Sequence, residues 1–150
     1  MPGCPMISLN RYFLGVAIGA AALMVGCNAR DKKNEIRVAL RNYDRLVQKM
    51  DADSISMMYT PDGDLGTMAQ GRDSIRKFLL TFVNVRVLSV SSTSDNIEIT
   101  GDSAMQLGKF NQVALVDNKD TVRPKGTYSA KWVWTKETGW KIRRMVTKPD

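Results

Sequence analysis

The hydrophobic period of this chain changes once, at Val83, and that change limits the folds open to it. From Ile36 to Leu80 the apolar residues recur at helical spacing; beyond Val83 they alternate. Ile36, Leu40, Tyr43, Val47 and Met50 form one stripe, reinforced by Ala39 and Leu46, while Arg37, Arg41, Arg45 and Lys49 occupy another face. This is a long amphipathic helix that covers something apolar. Asp44, three or four residues from Arg41, Arg45 and Gln48, reads as a partner in local surface pairing. Asp51–Ser54 interrupts the run with N-cap residues, and Ile55, Met58 and Tyr59 fit a second, short helix. Pro61 stops it, Pro61–Asp64 reads as a turn, and Asp64–Met68 as a short strand. Gly71 opens a third helix from Arg72 or Asp73, with Ile75, Phe78, Leu79 and Phe82 on one face.

The remainder reads as strands. Val83, Val85 and Val87 alternate with Asn84, Arg86 and Leu88 towards Thr93, and Ser91–Asn96 is a polar break or bulge before Ile97 and Ile99. Gly101-Asp102 is a turn, Ala104–Val116 a long strand and Asp117–Asp120 a hairpin tip. Val122–Thr135 is a strand kinked near Pro124, Lys136–Gly139 a tight turn, and Trp140–Thr147 the last strand. Short turns between consecutive strands argue for antiparallel pairing, and helices before strands for an α+β fold. Tyr128, Ala130, Trp132 and Trp134 share the strand face expected to meet the helices. Trp140 and Ile142 share a face with Arg144 unless a local bulge turns the arginine outward.

Upstream, Tyr12–Val25 is continuously apolar or small, preceded by Arg11 and no acid. Fourteen residues are short for a bilayer span and match the apolar core of a secretory leader. The run ends Leu23-Met24-Val25-Gly26-Cys27, which resembles a bacterial lipobox, although leucine usually stands where Met24 does. An ordinary signal peptide cut near Ala20–Ala22, or a membrane anchor, are the other uses of such a run. The lipobox makes residues 1–27 a lipoprotein signal peptide ending in a lipidated Cys27, whose several acyl chains give firm membrane anchoring. Residues 28–34 are polar and read as a tether, and 35–150 as the folded domain. Asn28, rather than aspartate, follows the cysteine, so the cell envelope is the expected location, at the outer membrane in preference to the inner.

The other cysteine, Cys4, also lies in the leader, so the domain has neither thiol nor disulfide. The chain has no histidine, which excludes Ser-His-Asp and Cys-His nucleophilic systems and imidazole metal sites. The formal charge is +7, about +6 once Arg11 leaves with the leader. Such a charge favours anionic surfaces. Apart from Lys136–Lys148 the cations are scattered and no nucleic-acid motif accompanies them, so they read as solvated surface and nucleic acid is not an expected partner. No phosphate-cradling glycine loop or carboxylate cluster with metal-binding spacing occurs, and neither cofactor nor metal is expected.

Three segments in order, IRVALRNYDRLVQKMDADSISMMYTPDGDLGTMAQGRDSIRKFLL, IEITGDSAMQLGKF and GTYSAKWVWTKETGWKIRRMV, resemble the SnoaL-like branch of the nuclear transport factor 2-like superfamily. The shared marks are the Asp53 helix start, Tyr59 before a Pro/Asp turn, Gly71 followed by Ile75, Gly101-Asp102-x-Ala104, and a hairpin closing on Trp140-Lys141-Ile142. The resemblance covers Ile36 to about Thr147. It implies a cone: three N-terminal helices packed on a curved, mixed, mostly antiparallel sheet around a pocket, often paired as a homodimer through the sheet's outer face. Against the ketosteroid isomerase pattern of the superfamily, Tyr43 falls on the hydroxyl donor, but Thr67 falls where the base should be and Ala130 where the protonated acid should be. Proton abstraction beside a carbonyl then lacks its base. The fold alone does not decide function. The expected role is an envelope protein that binds a small, largely apolar ligand or a partner subunit, with Tyr43, Tyr59, Phe82, Gln106, Tyr128, Trp132 and Arg144 as the pocket wall. The alternative is an envelope isomerase, dehydratase or hydrolase acting on a small hydrophobic substrate, with Tyr43 as donor and Asp62 or a bound water as base.

Overall fold

The computed structural model describes the backbone of residues 24–150 and side chains from residue 31. The leader lies largely outside the described residues. The backbone of Cys27 falls in the first helix, and its side chain lies outside. No described helix is long and apolar enough to cross a membrane.

Helix α1 spans Met24–Lys49. The stretch expected to be a tether, 28–34, is therefore continuous with the domain's first helix. No glycine or proline interrupts the chain from Asn28 to Lys49, and the helix is pinned early. Lys32 Nζ donates to the Gly101 carbonyl at 3.3 Å, Glu35 accepts from Trp140 Nε1 at 2.9 Å, and Ile36 is fully buried. Asp51 caps helix α2 (Ala52–Met57) by accepting from the Ser54 amide at 3.0 Å. Helix α3 (Arg72–Leu79) begins after Gly71, whose φ of 85° suits glycine, and buries Ile75.

Strand β1 (Tyr59–Asp64) begins where the second helix was expected to end and runs through the expected Pro-Asp-Gly-Asp turn. That signal is expressed as an irregularity within an edge strand. β1 pairs with the last strand, Asp64 also bridges Gln70, the register shifts between Tyr59 and Asp64, and Pro61 is exposed where its missing N–H costs no ladder bond. The expected strand beyond Asp64 is a loop.

Five further strands complete the sheet: β2 (Val85–Thr100), β3 (Ser103–Val116), β4 (Asp120–Val122), β5 (Lys125–Thr135) and β6 (Gly139–Pro149). The order is β1-β6-β5-β3-β2, with β4 also on β3. The β1–β6 pair is parallel and the others antiparallel, so the sheet is mixed. The expected kink at Pro124 separates β4 from β5. The expected polar break in β2 is a bulge between Ser94 and Asn96, and a second bulge lies between Val87 and Ser89. Bulges bend the strand that carries them, which curves the sheet around α1. The inner face buries Ile97, Ala104, Gln106, Tyr128, Ala130, Trp132, Trp140, Ile142 and Met145 against Ile36, Leu40, Ile55, Tyr59 and Ile75.

The candidate ligand-binding interior

Alternation on β5 aims Tyr128, Ala130 and Trp132 inward, and β3 presents Gln106 directly opposite Ala130. Gln106 and Trp132 are both fully buried. Trp132 Nε1 donates to Gln106 Oε1 at 2.9 Å, and Gln106 Nε2 donates to Ser94 Oγ at 2.5 Å. Because the indole can only donate, it sets the orientation of the amide. Tyr128 lies across β3 and donates from its hydroxyl to the Thr93 carbonyl at 3.2 Å. Gly108 permits that crossing, since a Cβ there would stand 1.9 Å from Thr93 O and 2.7 Å from Tyr128 Oη.

The helical side supplies a second polar pair. Tyr43 of α1 and the buried Tyr59 at the start of β1 meet hydroxyl to hydroxyl at 3.0 Å, with their rings edge-on. Burial raises the pKa of Tyr43. Burial first and the neighbouring Tyr43 second push that of Tyr59 well above the ordinary phenol value. Both hydroxyls therefore remain neutral at physiological pH, one donating to the other. Burial also raises Tyr128.

Asp44 is a functional candidate that sequence periodicity assigned to the solvent side. It does not join a surface pair. Its carboxylate accepts from the Ser92 amide at 2.8 Å and from the Ser92 hydroxyl at 2.7 Å, tying α1 to β2. Burial raises its pKa, and the two Ser92 hydrogen bonds oppose that rise. The signal lay in the polar run of β2: Ser92 and Ser94 fall on the inward alternation, so a polar partner had to face them.

Two expected wall residues stand elsewhere. Helix α3 ends at Leu79, three residues before Phe82, which is 38% exposed and packs edge-on against Phe78 with centroids 5.1 Å apart. Arg144 is displaced by a bulge: Trp132 faces Ile142 but Lys131 faces Arg144, leaving Arg143 as the extra residue. Met145 takes the inward place, and Arg144 lies outward with its side chain 58% exposed, 3.6 Å from Asp64. Tyr43, Tyr59, Gln106, Tyr128 and Trp132 are brought together on the inner layer.

The carboxylates near β1 serve surface roles. Asp62 accepts from Thr60 and pairs with Arg143 at 3.2 Å, and its side chain is largely exposed. Asp64 accepts from the Gly66 amide at 3.0 Å. Thr67, at the position of an isomerase base, is exposed, and Ala130 is fully buried. Among the described residues no three acidic or thiol side chains cluster around a point where a metal could sit. A separate open groove of about 430 Å³ lies beside α1 and α2, lined by the polar Asn42, Arg45, Asp53, Ser54 and Lys141 and by Leu46, Met57 and Met58. Burial, and then the charge of Arg72, lower the pKa of Lys141 in that groove.

This architecture, a curved mixed sheet closed by three helices, is that of a nuclear transport factor 2-like cone. The SnoaL-like domain profile matches residues 29–146, and the chain belongs to that family. The match begins six residues before the domain start expected from sequence, in keeping with the early start of α1. Solved structures agree on the fold. A nuclear transport factor 2-like superfamily protein from Salmonella enterica superposes with a TM-score of 0.68 at 19% identity, over 81% of this chain and 92% of that one. A conserved protein from Planctomyces limnophilus gives 0.71 at 15% identity, over 81% and 99%. A Catenulispora acidiphila protein in complex with S-DNPA gives 0.68 at 13% identity, over 79% and 92%. No curated protein sequence matches the chain.

Proposed function

We propose that this is a lipid-anchored protein of the bacterial envelope whose SnoaL-like domain binds a small, largely apolar ligand without acting on it chemically. The observation that carries the reading is the state of the inner layer. Its side chains are mostly aromatic and aliphatic, polar atoms among them are already paired as Trp132–Gln106–Ser94 and Tyr43–Tyr59, and Asp62, the base of the alternative enzyme reading, faces solvent beside Arg143. Apolar walls with a few fixed polar groups recognise shape and one or two polar substituents. Acid–base chemistry would need a group free to take a proton, and both oxygens of the nearest inward carboxylate, Asp44, accept from Ser92. The similar Catenulispora protein was solved in complex with S-DNPA, which supports a binding use of the fold here.

The anchor follows from the run Tyr12–Val25 and the Gly26-Cys27 junction. A partner copy would meet the outer sheet face, where Met105 and Leu107 are 44% and 46% exposed.

The test of binding is native mass spectrometry of the anchor-free domain from Asn28 onward, followed by thermal unfolding with a broad set of apolar compounds. A co-purifying small molecule, and stabilisation of about 2.7 kcal/mol at a hundred times the Kd, are expected. Silence in both would overturn the binding reading. Metabolic labelling with a fatty acid, present in the natural chain and lost in Cys27→Ser, tests the anchor.

A further inference from the structure

The buried arc of α1 faces the sheet, and the rest of the helix carries five cations; β2 reaches its edge through Asp44, which accepts from Ser92, and Gln48, which donates to the Leu88 carbonyl at 3.0 Å. Arg37, Arg41, Arg45 and Lys49 are exposed and Lys33 half-exposed, each four residues after the last. At 100° per residue these five cations sweep about 160° of the helix, opposite Ile36, Leu40, Tyr43 and Val47. Among the described residues none of the five forms an ion pair; the pairs that occur are Lys32–Asp102, Arg76–Asp53, Arg143–Asp62 and Arg144–Asp64. Two acids fall on this arc: Asp44, which is turned to Ser92, and the exposed Asp31, which lies before Lys33 at the helical angle of Lys49. The only apolar residue fully on this face, Val38, is 49% exposed.

The position of Cys27 says what this face meets. It lies five residues before Lys32, which is pinned to the Gly101-Asp102 turn. That interval is about 7.5 Å along a helix and at most about 17 Å of extended chain. An acylated Cys27 thus puts the bilayer beside the start of α1. At that distance, cations along about 24 Å of helix from Lys33 to Lys49 lie within reach of anionic headgroups if the helix lies along the surface. The acyl chains hold the protein at the bilayer; the basic face, drawn to anionic headgroups, adds an orientation that the chains alone do not fix.

We infer that α1 lies along the membrane, with Lys33, Arg37, Arg41, Arg45 and Lys49 against anionic phospholipid headgroups and the outer sheet face turned away. The groove beside Arg45 adjoins this face; Lys141, Leu46 and the exposed Met57 line it, together with Asp53, which is paired with Arg76. The inference rests on the proposed acylation of Cys27 and adds an orientation to it.

The acylated protein contains no free thiol once its leader is removed, so a fluorophore can be placed at a single introduced cysteine. Val38→Cys reports on the basic face and Leu107→Cys on the outer sheet face. Both are reconstituted in phosphatidylcholine vesicles, with and without an equal part of phosphatidylglycerol, carrying a headgroup-nitroxide quencher. Stronger quenching at residue 38 than at 107 is expected in the anionic vesicles. It should fade in about 1 M salt, where the Debye length is about 3 Å, and in the combined variant Arg37→Gln, Arg41→Gln, Arg45→Gln, Lys49→Gln. Equal quenching at both sites, or a difference indifferent to lipid charge, would overturn the orientation. Mass spectrometry of the Cys27 peptide decides the anchor separately. If acyl chains are absent, co-sedimentation of the unacylated chain with the same vesicles becomes the test. Selective pelleting with anionic vesicles, weakened about fivefold per cation removed, supports the basic face; indifference to lipid charge overturns it.

Discussion

Gly108 and Tyr128 face each other across β3 and β5, and the phenol ring fills the space that a side chain at 108 would take. Gly108→Ala would bring a methyl group within 1.9 Å of a carbonyl oxygen held by the β2 backbone. It should destabilise the domain by about 1–3 kcal/mol or more, read from denaturant unfolding. The Tyr43–Tyr59 pair gives a different expectation. Tyr43→Phe leaves a fully buried hydroxyl on Tyr59 without its partner, at a cost of about 1–3 kcal/mol. Adding Tyr59→Phe removes the orphan, so the double variant should be less destabilised than the sum of the single ones. A fully additive cycle would show that the two hydroxyls do not depend on each other. Tyr43, Tyr59 and Tyr128 are the only tyrosines after the leader, and burial raises all three. Spectrophotometric titration of the mature chain should therefore show no tyrosine ionising at the ordinary value of about 10.

At the scale of elements, α1 is fastened to β2 by Asp44 more than by any ion pair. Asp44→Ala would strand the Ser92 amide and is expected to cost about 1–3 kcal/mol. Asp44→Asn can accept from that amide and donate to the hydroxyl, so it should fold nearly as well as the natural chain at neutral pH. The pH dependence has a definite sign. Burial raises the folded pKa of Asp44 above its unfolded value, so the folded state holds this proton more tightly. Its contribution is fully present below the unfolded pKa and is lost as pH rises through the folded one. Relative to Asp44→Asn, the natural chain should gain stability as pH falls through that window, which lies above the ordinary carboxylate value. Asp51 acts in the opposite direction: the Ser54 amide lowers its pKa, and its cap weakens as pH falls through the lowered value. Unfolding curves of the two Asp44 variants at several acid pH values separate these effects. The elements also show where periodicity misleads. A strict alternation along β6 puts Arg144 with Trp140 and Ile142, and one extra residue, Arg143, reverses the phase so that Met145 points inward. Helical spacing likewise carries Phe82 onto the face of Ile75, but α3 stops at Leu79.

On the scale of the molecule, three surfaces are assigned different work: the inner layer to a ligand, the outer helix face to the membrane, and the outer sheet face to a second copy. The last is tested by Leu107→Lys. Position 107 is exposed at the centre of β3, so the substitution should change monomer stability by no more than about 0.5 kcal/mol. It should shift the sedimentation coefficient from dimer to monomer. A natural chain that sediments as a monomer at high concentration would remove that assignment. With α1 along the bilayer, such a dimer keeps its sheet contact clear of the lipid.

The order of helices and strands, the aromatic face of β5, the caps at Asp51 and Gly71 and the family are all legible in the chain, because each depends on local period or turn chemistry. The pairing of β1 with β6, the reach of Asp44 to Ser92, the passage of Tyr128 over Gly108 and the outward turn of Arg144 are not. Each depends on which residues far apart in sequence become neighbours, or on a single added residue that shifts a strand's phase. Spacing along one segment carries no record of either, and only the closed, bent sheet decides them.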